Sequence, residues 1–322
     1  GQDTAMDGGR SERLASPVSH GPEPTMDLVV ITVSYNTRDL LADCLESVLA
    51  GLQRSGLESQ VWVVDNASLD GSAGMVRERF PAVRLAALDE NVGFAAGNNV
   101  ALGAMGFGAG VTPRHVLFLN PDTRVVGAAL GTMVRFLDST PVAGAAGARL
   151  VHADGGFQHS AFAFPGLAQV FLDFFPLQQR VLDSRLNGRY PRRSYEAESP
   201  FAVDHPLGAA LMVRAETLTQ VGGFDDRFFM YCEEIDLCQR IKGAGWEIYC
   251  VPRAEVVHLV GQSTRQFRNE MFVALWKSRF LMFEKHEGAV SRRALRALVR
   301  CGLWAENRLS LIHISEPTRL GM

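Results

Sequence analysis

The residues best equipped for chemistry are polar groups placed directly behind apolar runs. Tyr35-Asn36 follows the run 28–33, Asp65-Asn66 follows 61–64, and Asn120-Pro121-Asp122 follows 115–119. Further along, an acidic run holds Glu233, Glu234 and Asp236, and His258 stands behind another apolar run, ahead of Gly261 and Ser263. A carboxylate so placed can accept a proton, bind a cation or hydrogen-bond a ligand, and an imidazole can also bind a cation. Each residue has a plain structural reading too. An Asp after a strand commonly forms a turn or caps a helix. Acidic residues in a first helical turn complement the helix dipole. A lone His is more often a satisfied core or surface residue. Convergence favours a site, because separate run ends all carry carboxylates or amides.

The elements that must position these residues follow from the patterning. The β-branched run 28–33 suits a strand buried on both faces. Thr37 is placed to cap a helix on which Leu41, Leu45, Val48, Leu49 and Leu52 share one side. Residues 61–64 form a second buried strand, 72–80 a helix stopped by Pro81, 83–87 a third strand, 93–105 a helix of small residues and 115–119 a fourth strand. Strands alternating with helices predict an α/β fold with a parallel, doubly wound sheet. In such sheets ligands sit at the carboxyl ends of the strands, where the polar residues above fall. Residues 152–200 carry many Phe, Arg and Pro without clear periodicity and are expected to form a long connection or lid over the site. An apolar stretch then ends at Val213, followed by a short helix over 215–221. A helix over 233–244 offers Ile235, Leu237, Cys238 and Ile241 for burial. A strand over 247–251 and helices over 267–286 and 291–309 complete the chain.

Composition narrows the class. The 322 residues are 47% hydrophobic and 21% charged, which suits a soluble α/β protein of one large or two small domains. A net charge of -3 supplies no global basic field for nucleic acid. Cys44, Cys232, Cys238, Cys250 and Cys301 form no CxxC pair. They suggest neither a zinc knuckle nor a disulfide framework, and reduced thiols in the cytoplasm are the expectation. No apolar run reaches the roughly 18–20 residues needed to span a bilayer. Residues 1–26, rich in Gly, Ser, Pro and charge, read as a disordered leader with Met26 as a candidate start. The string SLIHISEPTR resembles translated adapter sequence, so 310–322 is set aside as a non-native tail that breaks the helical pattern before it.

In order along the chain stand VSYN (33–36), VDNAS (64–68), ENVGFAAGNN (90–99), FLNPDT (118–123), GGFDDRFFMYCEEIDLCQR (222–240) and HLVGQS (258–263). Together they resemble glycosyltransferase family 2 of the GT-A fold, especially its bacterial rhamnosyltransferase-like branch. The resemblance implies a GT-A domain over 27–286, with a nucleotide-binding half (27–125) and an acceptor and catalytic half (126–286), then a basic amphipathic helix over 287–309. It implies a dTDP- or UDP-linked sugar donor, rhamnose being the candidate sugar, and a hydroxyl acceptor on a cell-envelope, exopolysaccharide or lipid-linked glycan. Asp65 then meets the nucleobase, and Asn91, Gly93, Phe94 and Asn98 the ribose and diphosphate. Tyr35, Asn36 and Asn120 complete the donor contacts. Asp122 binds Mn²⁺ or Mg²⁺. The motif reads Asn-Pro-Asp, so it supplies a single carboxylate, and His258 is the second ligand. Glu234 aligns with the catalytic base, and Asp236 is the runner-up.

The chemistry explains the residue types. Inverting transfer is one in-line displacement, so a single carboxylate suffices to take the acceptor proton. The departing nucleoside diphosphate gains charge that a divalent ion neutralises, and imidazole in the ligand set favours Mn²⁺ over Mg²⁺. Gly93 and Gly97 could equally serve tight helix packing. The string QSTR (262–265) only faintly resembles the QxxRW signature of processive synthases. Gln266 replaces the Trp, so it is set aside or leaves at most Arg265 near a diphosphate. Arg292, Arg293, Arg296 and Arg300, with Trp304, form either a solvated helix face or a contact with the anionic inner face of the plasma membrane. Two other functions compete: a catalytically inactive sugar-nucleotide-binding protein, and a nucleotidyltransferase. The latter is disfavoured because VSYN lacks a Gly-rich, cationic signature after the first strand.

Overall fold

The structure, a computed structural model, describes residues 26–109, 112–175, 177–259 and 268–315, the side chains of 179, 268–269 and 306–315 excepted. The chain opens with strands β1 (Met26–Ser34), β2 (Ser59–Asp65), β3 (Arg84–Ala87) and β4 (Pro113–Leu119), separated by helices α1 (Arg38–Ser55), α2 (Ser72–Arg79) and α3 (Phe94–Ala104). Then come β5 (Thr123–Val125), α4 (Ala129–Ser139), β6 (Ala143–Val151), β7 (Ala161–Phe162), α5 (Leu167–Phe174), α6 (Gln179–Leu182), α7 (Arg192–Glu196), β8 (Phe201–Val203), β9 (His205–Pro206), β10 (Ala210–Arg214), α8 (Ala215–Val221), α9 (Glu233–Gly243), β11 (Glu247–His258), α10 (Arg268–His286) and α11 (Ala289–Ser315).

The main sheet runs β3-β2-β1-β4-β10-β6-β11-β5, with β8 also paired to β11. The first four strands are mutually parallel, as expected. β10 enters antiparallel between β4 and β6, so the sheet is mixed in its second half. Leu28, Val29, Val30 and Ile31 are all fully buried, because helices cover both faces. On one face α1 buries Leu41, Leu45, Val48 and Leu52, each worth about 1.5–3 kcal/mol when removed from water. On the other face α3, α8 and α9 pack a second core around Phe118, Phe224, Phe228 and Leu237.

Several expectations need correction. Thr37 makes no side-chain cap bond; its hydroxyl pairs with Ser34 Oγ at 2.8 Å. β5, α4 and β6 lie in a stretch where the sequence reading found no elements. β6 reads AGAAGARLV, and its small residues are packing requirements: a Cβ at Gly147 would meet Pro206 Cβ at 2.2 Å, and one at Gly144 would meet Trp246 Cβ at 2.7 Å. β11 continues past residue 251 to His258 through a register shift between Val251 and Glu255, a place where a strand tolerates Pro252. Residues 152–200 hold the short pieces β7, α5, α6 and α7. α11 stays helical to Ser315, so the described part of the supposed tail does not break the helix. Residues 1–25, the remainder of the tail, and the Gly261, Ser263 and QSTR readings lie outside the described residues. Among the described residues no helix is long and apolar enough to cross a membrane.

Candidate active site

A cleft of about 550 Å³ opens at the carboxyl ends of β1 and β4. It is lined by Ser34, Tyr35 and Asn120-Pro121-Asp122, by His258 with Gln158, by Glu233 with Glu234, and by Glu270 and Met271 of α10. A larger groove of about 740 Å³ beside α1, β2 and β3 is lined by no carboxylate or imidazole.

Backbone pairing brings Asp122 and His258 together. β5 and β11 are antiparallel with Thr123 opposite His258, and the Leu259 N–H donates to Asp122 O at 2.9 Å. Asp122 Oδ1 therefore lies 3.6 Å from His258 Nε2, with both side chains almost fully buried. Burial pushes the Asp122 carboxyl up, against the pull of the His258 charge. Burial also pushes the His258 imidazole down, leaving it neutral and able to donate a lone pair. Gln158 sits 3.0 Å from His258 Nδ1 through its amide nitrogen, while its Oε1 is buried without a partner. Turning the terminal amide over would let Oε1 accept from Nδ1–H and leave the Nε2 lone pair facing Asp122. This orphaned oxygen is the kind of outer support that histidine ligands use. Among the described residues no group of three or more His, Cys, Asp or Glu could hold a metal. A two-residue set fits Mg²⁺ or Mn²⁺ whose other ligands are phosphate oxygens and water.

The N-terminus of α9 also lines the cleft. Tyr231 (φ 71) and Cys232 (φ 65) are consecutive left-handed residues, a conformation costing about 1–3 kcal/mol each that recurs at functional sites. They turn the chain so that the first two helical side chains, Glu233 and Glu234, face the cleft. Burial pushes the Glu233 carboxyl well above the usual range, with repulsion from Glu234 adding to it, and Glu233 Oε2 has no partner. Glu234 is also pushed up by burial, but the backbone N–H groups of Glu234, Ile235 and Gly208 oppose this. These backbone donors favour the charged form of Glu234. Its side chain lies against Gly208, where an added Cβ would meet Glu234 Cγ at 3.2 Å.

Asp236 is the correction here. It is fully buried away from the cleft, its Oδ1 2.7 Å from both Lys285 Nζ and His286 Nε2 and its Oδ2 2.9 Å from Arg240 Nε. Burial raises its carboxyl, and these partners outweigh burial and hold it below the usual range. A carboxylate so occupied ties α9 to α10.

The donor-side residues divide in two. Tyr35, Asn91, Phe94 and Asn120 line the cleft, and Asn36, Asp65, Gly93 and Asn98 are not part of its lining. Asn36 (φ 52) takes the Leu69 N–H on Oδ1 at 2.8 Å. Asp65 accepts from the Ser68 N–H at 3.1 Å through Oδ2, leaving Oδ1 buried and unpartnered. Asn98 donates to Phe94 O at 2.9 Å. Gly93 has φ 88, and a Cβ there would meet Phe229 O at 2.3 Å; the neighbouring Phe94 N–H donates to that same oxygen at 2.8 Å. Gly93→Ala is therefore expected to cost at least about 1–2 kcal/mol from backbone conformation alone, read as a lower urea midpoint at constant slope. A wild-type midpoint would refute this. Residues not singled out from sequence include Gln158, which sits in an aperiodic segment with no signal. Asn99 is another, holding Phe224 through both its backbone N–H and C=O.

A mostly parallel α/β layer with a cleft at its strand carboxyl ends is the architecture of a GT-A glycosyltransferase, and solved structures agree on the fold. A mannosyltransferase from Pyrobaculum calidifontis, in complex with GDP-Man and Mn²⁺, superposes with a TM-score of 0.55 at 20% identity, covering 94% of this chain and 80% of that one. GalNAc-T7 with UDP, GalNAc and Mn²⁺ gives 0.53 at 12% identity, over 74% of this chain and 44% of that one. The profile described as Glycosyl transferase family 2 matches residues 29–193, and the chain belongs to that family. Among relatives, the N-acetylglucosaminyl-diphospho-decaprenol L-rhamnosyltransferase of Mycobacterium tuberculosis H37Rv is 30% identical over 292 residues, 88% of this chain and 92% of its own. Rhamnosyltransferase WbbL of Escherichia coli K12 is 28% identical over 172 residues, 52% of this chain and 60% of its own.

Proposed function

We propose that this glycosyltransferase moves a sugar, rhamnose being the first candidate, from a dTDP- or UDP-linked donor to a hydroxyl of a lipid-linked or cell-envelope glycan, with inversion. The observation that carries the reading is that one cleft is lined by Asp122 and His258, 3.6 Å apart, and by Glu234. Glu234 takes the acceptor proton as the new bond forms at the anomeric carbon, and Glu233, kept protonated beside it, leaves Glu234 as the acting carboxylate. Asp122 and His258 would hold a divalent ion, which when bound neutralises the leaving diphosphate. Tyr35, Asn91, Phe94 and Asn120 orient the donor, and Asp65 is assigned to the nucleobase. Exposed Arg293, Arg296 and Arg300 with Trp304 on α11 support contact with an anionic membrane that carries the acceptor. The test is transfer from dTDP- and UDP-sugars to a diphosphate-lipid-linked N-acetylglucosamine with Mn²⁺. Tight nucleotide binding without turnover across donors and acceptors would instead establish the inactive sugar-nucleotide-binding protein.

Gln158 should act through His258. In Gln158→Leu nothing accepts the Nδ1 proton, so Mn²⁺ affinity, measured by calorimetry with a nucleoside diphosphate present, is expected to fall about 10–100-fold. An unchanged affinity would remove Gln158 from the ligand support.

A further inference from the structure

Next to the donor cleft lies a second cavity of about 570 Å³, lined by His152, Phe157, His159, Asp183, Arg189 and Arg192 among others. The two share Gln158 and Leu207 as a common wall, and Gly208, next to Leu207, is where Glu234 rests. The two cavities therefore adjoin close to Glu234.

This cavity offers planar cations rather than apolar surface. Arg189 pairs with Asp183, and Arg192 pairs with Glu196 at 2.8 Å while lying 5.3 Å from the Phe157 ring centre. Both ion pairs are part-exposed, Arg192 and Glu196 more than half so, and such pairs hold their partners weakly. A phosphate offers each guanidinium a stronger bidentate arrangement. His159 Nδ1 is buried without a partner in the same cavity. The arginine side chains come from the 152–200 segment, held here where Ala163 N–H donates to Gly188 O at 2.7 Å and Phe162 bridges Arg189.

We propose that this second cavity is the subsite for the phosphate groups of the acceptor, with Arg189 and Arg192 as the recognising cations and His159 as a neutral donor or acceptor beside them. The proposal rests on the glycosyl-transfer reading above and deepens it. It makes the acceptor an anionic, diphosphate-linked glycan, with sugar toward Glu234 and lipid beyond Arg192.

Calorimetry on the full chain in EDTA, so that no cation can seat a diphosphate in the donor cleft, would use farnesyl diphosphate as the probe and farnesol as the uncharged control. Wild type should bind the diphosphate and not the alcohol. Arg189→Gln and Arg192→Ala should each weaken binding about 10-fold, and the double variant more. Arg192→Ala sits on an exposed helix, and equal melting temperatures exclude misfolding. In transfer assays the same variants should raise KM for the diphosphate-linked acceptor while leaving transfer to an uncharged alkyl glycoside unchanged. No binding by wild type, or unchanged binding by the double variant, overturns the subsite. If Arg-dependent binding persists while no donor or acceptor pair turns over, the glycosyl-transfer reading fails and the anion site stands.

Discussion

Glu234→Gln is expected to lower kcat about 100- to 10,000-fold, the span of general base catalysis, with Mn²⁺-dependent nucleotide binding unchanged. The variant keeps the volume and the contact with Gly208 but cannot take a proton. The pH profile supplies a second readout. The base must be ionised to work, and burial raises the Glu234 carboxyl. Activity should therefore fall with decreasing pH at a higher pH than a free Glu side chain would give. Burial also raises the neighbouring Glu233 carboxyl, and repulsion within the pair favours one neutral and one ionised member. Glu233→Gln, which mimics that neutral state, should keep most of the turnover and leave the acidic limb in place. If Glu233→Gln abolishes turnover and Glu234→Gln does not, the roles are reversed. Asp236→Asn should behave differently from both: it frees Lys285, His286 and Arg240 from their buried partner, lowering stability by about 3–5 kcal/mol.

Asp122→Asn is expected to lower kcat/KM about 100-fold or more, the loss of several kcal/mol of stabilisation at the leaving group, and to abolish the thermal stabilisation that Mn²⁺ with nucleoside diphosphate confers on wild type. Without metal the sign reverses. Asp122 carries a buried carboxylate whose nearest cationic candidate, His258, is itself pushed toward neutrality. Removing that charge should leave the metal-free protein as stable as wild type or more so. A variant destabilised in both states would assign Asp122 a structural role instead.

The first four strands were legible because their signals are local. A run such as 28–33 can only be buried on both faces, and its alternation with helices fixes the parallel order of β1 to β4. Polar residues at the ends of β1, β2 and β4 then share one edge. β6 was not legible, because its alanines and glycines carry little strand preference and are small only to admit Pro206 and Trp246 from distant parts of the chain. The antiparallel entry of β10 was hidden for a similar reason: nothing in ALMVR states a direction.

The acidic run marks the boundary between the two kinds of information. Residues two apart on a helix point about 200° apart, yet the sequence left both Glu234 and Asp236 as candidates for the base. Which of them meets the cleft depended on where α10 lies, since Lys285 and His286 claim Asp236 from a position about fifty residues away. His258 and Asp122 likewise became a pair only through the β5–β11 ladder, and Gln158 became their neighbour across a separation of 100 residues. The sequence by itself determined the layer order, the polar edge and the candidate residue types, since these follow from periodicity and strand ends. The tertiary structure alone decided which carboxylates are desolvated, which are ion-paired and which face the cleft, because burial and charge at each group are set by elements that the chain brings in from far along its length.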